Sequence, residues 1–185
     1  MSDLDLARPA DLGGQPIYLV GRLPAPGTRL LDVFTIPPAR RAEGPLTEAD
    51  FASGLVLLSP LPNIQRHACV AQIVQLEETA HRFDDARIIH VSHDEAVHWH
   101  EVDRYHPNIR AASYSLRDAD GQSRTSFIWA FGVGVLGHDR IAHGLFALRD
   151  GVFLAAEVPY DQLRAPEVDG FLHQLHQSLE EQPCR

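Results

Sequence analysis

The chain has 185 residues, with 25 acidic against 16 basic side chains and a formal net charge of -9. That length supports one domain with a full core, and the acidic balance argues against nonspecific nucleic-acid binding, which needs a basic surface. Two cysteines, Cys69 and Cys184, do not make the disulfide framework of a small secreted domain; residues 1–14 (MSDLDLARPADLGG) lack the charged-then-apolar pattern of a signal peptide and no apolar run approaches the roughly 20 residues of a membrane span, so the chain reads as cytoplasmic, with no membrane partner.

In chain order, residues 1–13 read as a flexible lead-in. Residues 16–23 (PIYLVGRL) alternate like a strand and residues 30–36 (LLDVFTI) do so again, with Pro24, Pro26 and Gly27 between them as turn chemistry, so the pair reads as an N-terminal hairpin. Residues 37–45 form an exposed loop. Thr47 opens a short helical turn with Asp50 three residues on, a variant of the capping box.

Residues 55–58 (LVLL) mark a buried strand. Pro60, Pro62 and Asn63 break it, because proline supplies no backbone N–H and biases the preceding residue away from the helical region. From about Ala68 the period changes: Val70, Ile73, Val74, Leu76 and Ala80 recur at helical spacing, with Gln72, Gln75, Glu77, Glu78 and Arg82 on the other side. A buried strand therefore feeds a loop, and the loop an amphipathic helix with Cys69 in its first turn. The first N–H groups of a helix lack intrahelical partners and carry partial positive charge, so a thiolate there is stabilised and its pKa falls. The competing reading is a buried thiol acting as a small apolar filler.

Residues 86–92 (ARIIHVS) read as a second buried strand, and strand–helix–strand alternation points to parallel pairing. Residues 93–106 are helical or a helix with a loop; residues 112–116 are a short strand; residues 118–121 are a turn; residues 125–131 are a helix. Residues 141–148 and 152–158 form a hairpin across Asp150 and Gly151. Residues 166–181 are an amphipathic helix buried through Phe171, Leu172, Leu175 and Leu179.

The stretch around Cys69 resembles the active-site region of the atypical two-cysteine thiol peroxidases, a branch of the peroxiredoxins with a thioredoxin-like fold. Their motif runs Pro-Ser-Ile/Leu-Asp-Thr-x-x-Cys, commonly with Gln three residues on; Pro62, Ile64, Cys69 and Gln72 stand at matching positions. The resemblance extends over nearly the whole chain, through Gly14, Pro16, Leu23, Pro24, Gly27 and Phe34 near the start, Val91, Ser92 and Asp94 in the middle, then Phe131, Gly132 and Val133, and the strand at residues 141–148. It implies a single thioredoxin-like domain over residues 1–185, with a mixed central sheet, flanking helices, an N-terminal β-hairpin and a short flexible tail at 182–185, and a homodimer as oligomer. The activity it implies is thiol-dependent reduction of hydrogen peroxide or small organic hydroperoxides. Cys69 would be the nucleophile, Pro62 would shield the sulfur, and Arg66 or His143 would stabilise the thiolate and the departing oxygen. No cofactor is implied.

Three positions depart from that pattern. Arg66 stands where the family has its Thr, His143 where it has its Arg, and the region after Cys69 that should hold the resolving cysteine (HDEAVHWHEVDRYHP) has none. A one-cysteine enzyme served by an external thiol, from a thioredoxin-like protein or a small molecule, is one outcome. A non-catalytic or redox-sensing binding module is another, since fold does not fix function.

A third outcome rests on the eleven histidines. His93, His98 and His100 lie in one short stretch, and imidazole suits zinc, copper, iron or nickel, so a His-rich metal- or haem-binding derivative is the remaining alternative. Against it, closed structural zinc sites are usually built with cysteine and none lies there; the stretch reads as surface without metal. Cys184 reads as a solvated tail thiol.

Overall fold

The computed structural model describes residues 7–180. Its elements are β1 (Arg8–Leu12), β2 (Gln15–Val20), β3 (Thr35–Ile36), β4 (Pro38–Arg40), β5 (Leu46–Thr47), β6 (Leu55–Leu61), α1 (His67–Thr79), β7 (Ala86–Ser92), α2 (Trp99–Tyr105), β8 (Ala112–Ser115), α3 (Gly121–Phe131), β9 (Gly134–Val135), β10 (Leu145–Arg149), β11 (Val152–Glu157) and α4 (Val168–Glu180). Six strands form the central sheet in the order β11-β10-β6-β7-β8-β4. β6, β7 and β8 run parallel, while β10, β11 and β4 pair antiparallel, so the sheet is mixed as the resemblance implies.

β6 shows how the core is divided. All seven of its residues are buried, and successive side chains point to opposite faces. Leu55 and Leu57 join Leu76 of α1 and Phe171, Leu172 and Leu175 of α4 on one face. Val56 and Leu58 join Phe127 and Phe131 of α3 on the other. That second face centres on Phe131, whose ring lies 4.8 Å from Phe127, 5.2 Å from Phe146 and 5.7 Å from Phe153, centroid to centroid.

The N-terminal hairpin differs from the expected one. Residues 8–12 are not a loose lead-in but a strand, β1, paired with β2 from Arg8↔Leu19 to Leu12↔Gln15. The two residues between them are Gly13 (φ +64°) and Gly14 (φ +85°), and a two-residue turn with positive φ at both positions is what a tight hairpin needs. The segment at 30–36 alternates without forming the partner strand. Leu30 and Phe34 are buried, Leu31 and Val33 are 76% and 68% exposed, and regular pairing is confined to β3. Residues 1–6 and the tail carrying Cys184 lie outside the described residues.

β6 also runs through Pro60, beyond the expected break. Its pairing with β10 ends at Leu58, while that with β7 continues to Leu61. Pro60 therefore sits where one side of the strand no longer needs a donor, which is where proline is tolerated. Helix α3 begins earlier than its apolar spacing indicates, because Asp120 caps it, accepting from Gln122 N and Ser123 N at 2.9 Å each. Gly132 (φ +62°) ends it in the left-handed conformation, packed so closely that an added Cβ would fall 2.8 Å from the backbone of Arg22.

Candidate active site around Cys69

The chain leaves β6 toward β7 on one side and later fills the other side with β10 and β11, so the direction of strand order changes at β6. In open α/β sheets such points, at the carboxyl ends of the strands, are where ligands bind. Cys69 lies there, in the first turn of α1, fully buried. β10 runs antiparallel to β6, so the segment entering β10 reaches the same place and brings His143 with it.

Cys69 Sγ is 3.7 Å from His143 Nε2, and the backbone N–H of Asn63 points at the sulfur at 3.4 Å. His143 Nδ1 lies 2.7 Å from Gln72 Oε1. The Gln72 amide nitrogen donates to Gly144 O at 2.8 Å and to Ser59 Oγ at 2.9 Å. A backbone carbonyl can only accept, so the amide orientation is determined: Oε1 faces the imidazole, Nδ1 carries the proton, and Nε2 presents its lone pair to the thiol. The backbone N–H of His143 donates to Gln162 Oε1 at 2.7 Å, which fixes the ring from its other end. The result is a buried thiol–imidazole–amide chain, Cys69–His143–Gln72.

Both titrating members are held neutral. Burial pushes the Cys69 thiol up to about 12; the Asn63 N–H opposes that, Asp94 adds to it and Arg140 opposes it. Burial alone takes His143 down to about 4. Desolvation disfavours whichever form is charged, so the acid rises and the base falls.

Around this pair is a hollow of about 420 Å³. Leu12, Ile17, Pro62, Val135, Ile141 and Leu163 supply its apolar wall, and Asn63, Arg66, His138, Arg140 and Gln162 its polar rim. An ion pair between the exposed Arg140 and the buried Asp94 holds the loop at the rim: Arg140 Nη1 is 2.7 Å from Asp94 Oδ1 and donates to Pro62 O at 3.0 Å, while Asp94 Oδ2 accepts from Ile64 N at 2.8 Å.

Of the residues singled out from sequence, Cys69, His143 and Pro62 converge here. Arg66 is the exposed residue preceding α1 and lines the hollow. Among the described residues its side chain forms no ion pair, and the guanidinium that acts on the sulfur is that of Arg140. Gln72 was expected on the solvent side of the helix; it is fully buried, because its amide serves four partners at the strand ends. His93, His98 and His100 do not come together. His93 is buried near Arg140 and Asp94, and its pKa is lowered by burial first and by Arg124 and Arg140 next. His100 is exposed and faces a separate hollow with Arg40, Trp99 and Asp103. Among the described residues no group of three or more His, Cys, Asp or Glu side chains is placed to hold a metal ion. Among them, too, no helix is long and apolar enough to cross a membrane.

No protein-family model matches the chain, and no curated protein matches it in sequence. Solved structures do match in fold. A thiol peroxidase from Chromobacterium violaceum superposes with a TM-score of 0.75 at 15% identity, over 93% of this chain and 97% of that one. A peroxiredoxin-like protein from Aquifex aeolicus gives 0.73 at 15% identity, over 93% and 98%. The peroxidoxin BcpB from Mycobacterium tuberculosis gives 0.62 at 18% identity, over 86% and 98%. The fold is thus the peroxiredoxin form of the thioredoxin-like fold.

Proposed function

We propose that the chain is a thiol peroxidase that reduces hydrogen peroxide or small organic hydroperoxides through Cys69, of one-cysteine type, with an external thiol as reductant. The observation that carries this reading is the 3.7 Å approach of Cys69 Sγ to the unprotonated Nε2 of His143, with Nδ1 held by Gln72. Sulfur as thiolate is the nucleophile, and His143 is placed to take the thiol proton as the peroxide enters. The thiolate attacks the terminal oxygen of R–O–O–H, the O–O bond breaks, and Cys69 becomes the sulfenic acid, S–O–H. The departing alkoxide takes the proton back from His143 and leaves as R–O–H. One imidazole serves first as base and then as acid, a use open to a group that shuttles a proton within the site. The Asn63 N–H, 3.4 Å from the sulfur, stabilises the thiolate while it exists. Pro62 shields the sulfur from the solvent side, and Arg66 and Arg140 flank the entry path. A homodimer belongs to the same reading.

The test is the rate of hydrogen peroxide consumption with excess thiol. Wild type is expected to exceed a free thiol, and Cys69→Ser to fall to the background. A second reading, a redox-sensing or binding module, draws support from the complete burial of Cys69 and a thiol held at about 12. Wild type no faster than a free thiol would select it.

A further inference from the structure

A peroxide is not the only electrophile that Cys69, His143 and Gln72 suit. The geometry points to a second activity at the same sulfur: acyl transfer, in which Cys69 takes the acyl group of a thioester and passes it to water. A thiol, an imidazole that receives its proton and an amide that orients the imidazole are the working groups of cysteine acyl-transfer enzymes on unrelated folds. Here Cys69 Sγ is 3.7 Å from His143 Nε2, and His143 Nδ1 is 2.7 Å from Gln72 Oε1. Two backbone N–H groups complete the set. That of Asn63 points at the sulfur at 3.4 Å. That of Cys69 itself has no intrahelical acceptor, because the first helical bond of α1 runs from Val70 N to Arg66 O and Arg66 supplies no side-chain cap. Donors so placed stabilise the oxygen of an attacked carbonyl as it gains charge.

The reaction closes in two steps. His143 takes the Cys69 proton as Sγ attacks the carbonyl carbon of R–CO–S–R′. The C–S bond to the leaving group breaks, and the imidazolium gives its proton to that sulfur, leaving R′–S–H and Cys69–S–CO–R. His143 then takes a proton from water, and the hydroxide adds to the acyl carbon. The bond from Cys69 Sγ to that carbon breaks and the proton returns to Sγ, releasing R–COOH and restoring the thiol. Both steps use one ring in one tautomer. Gln72 holds that tautomer, because its amide nitrogen is committed to Gly144 O and Ser59 Oγ. Among acyl donors a thioester fits, since exchanging one sulfur for another costs little, whereas an amide or ordinary ester is more stable than the thioester it would form. The acyl chain also has a place. The hollow of about 420 Å³ sets Leu12, Ile17, Val135, Ile141 and Leu163 around the approach to the sulfur. That volume is within the range of small-molecule sites, and an apolar wall favours a hydrocarbon chain.

The experiment uses the Cys184→Ser chain with S-butyryl-N-acetylcysteamine as acyl donor and no peroxide. Intact-mass spectra follow the acyl-protein, and chromatography follows butyrate and N-acetylcysteamine. A single butyryl group on Cys69 is expected, with butyrate released at least about 10²-fold faster than by N-acetylcysteine at equal concentration. Turnover should show a normal solvent deuterium isotope effect, because a proton moves in each step. His143→Gln should slow it by about 10²–10⁴-fold and abolish that effect, and Cys69→Ala should form no adduct. Butyrate release no faster than with the free thiol overturns the proposal, and that comparison needs no variant to fold. An acyl-Cys69 that persists in water without releasing butyrate overturns it as well. So does turnover that survives Cys69→Ala or is unchanged in His143→Gln. Peroxide consumption is measured separately, so failure of either activity leaves the other measurement standing.

Discussion

The position of His143 decides the pH dependence of Cys69 oxidation. With the imidazole down at about 4 and the thiol up at about 12, the neutral pair is the dominant form through the whole experimental range. The reactive thiolate–imidazolium pair has the same number of protons, so its share does not change with pH between the two values; the pair, not either group, sets the profile. Wild-type reactivity toward hydrogen peroxide should therefore be flat from about pH 5.5 to about 9, falling only toward the acid side as His143 takes up a second proton and loses its lone pair.

His143→Gln keeps the volume and the contact to Gln72 but cannot accept a proton. Cys69 must then ionise to solvent. At pH 7 a thiol of pKa about 12 is thiolate to about one part in 10⁵, against about 3% for a free thiol near 8.5. The more basic sulfur is the better nucleophile and recovers one to two powers of ten, which leaves the variant about 10²-fold slower than a free thiol. Its rate should climb about tenfold per pH unit. The assay is stopped-flow loss of the Cys69 thiol in the Cys184→Ser background, across pH 5 to 9. A wild-type profile that rises with unit slope, superimposable on that of His143→Gln, would refute the coupling.

Three further outcomes follow from the same contacts. His143 is protonated near 6.5 when unfolded but near 4 when folded, so the unfolded chain binds more protons between those values; the contribution is complete above about pH 6.5 and is lost toward pH 4, to about 3 kcal/mol. Urea midpoints across that range should show the loss, with the buried His90 adding in the same direction and His143→Gln reducing the slope. Phe131→Ala removes the ring at the centre of the aromatic cluster and should cost about 3–5 kcal/mol in equilibrium unfolding. Asp94→Asn removes a charge that raises the Cys69 pKa, whereas Arg140→Met removes one that lowers it; rates of alkylation by iodoacetamide should move up in the first variant and down in the second, and movement in the same direction in both would contradict the electrostatic assignment.

The sequence makes the strand–loop–helix around Cys69 legible because two periods meet there, and β6 and α1 appear within a few residues of the expected bounds. The Asp150–Gly151 turn is equally local: both residues have positive φ, as a tight hairpin requires. The first hairpin carried a comparable signal in Gly13–Gly14, which competed with the alternation at 30–36. That alternation arises from Leu30 and Phe34 entering the core one at a time, with no ladder between them. Gln72 is a different case. Periodicity assigns an amide to the wet side of a helix, and only tertiary structure supplies the carbonyl, hydroxyl and imidazole that satisfy it when buried. Arg140 belongs with it, because its reach to Asp94 and Pro62 spans chain segments that no local pattern connects.

A thiol at about 12 beside an imidazole at about 4 is an inert pair only if each is considered alone. Burial disfavours net charge on either group separately, but moving a proton from Cys69 to His143 creates no net charge, and the two opposite charges formed are adjacent. In a site of low effective dielectric that adjacency offsets much of the desolvation that separates the two values. In the proposed reaction the incoming hydroperoxide completes the exchange, since its hydroxyl donates to the new thiolate and its departing oxygen accepts the imidazolium proton. A site with a fixed arginine at the sulfur would hold a thiolate at all times. On the proposed mechanism the Cys69–His143–Gln72 chain instead keeps the sulfur protonated until a substrate able to use both charges is present, with Arg140 held by Asp94 on the rim. The departure at position 143 thus changes when the thiolate forms, while the fold still delivers the sulfur to the same end of the central strand.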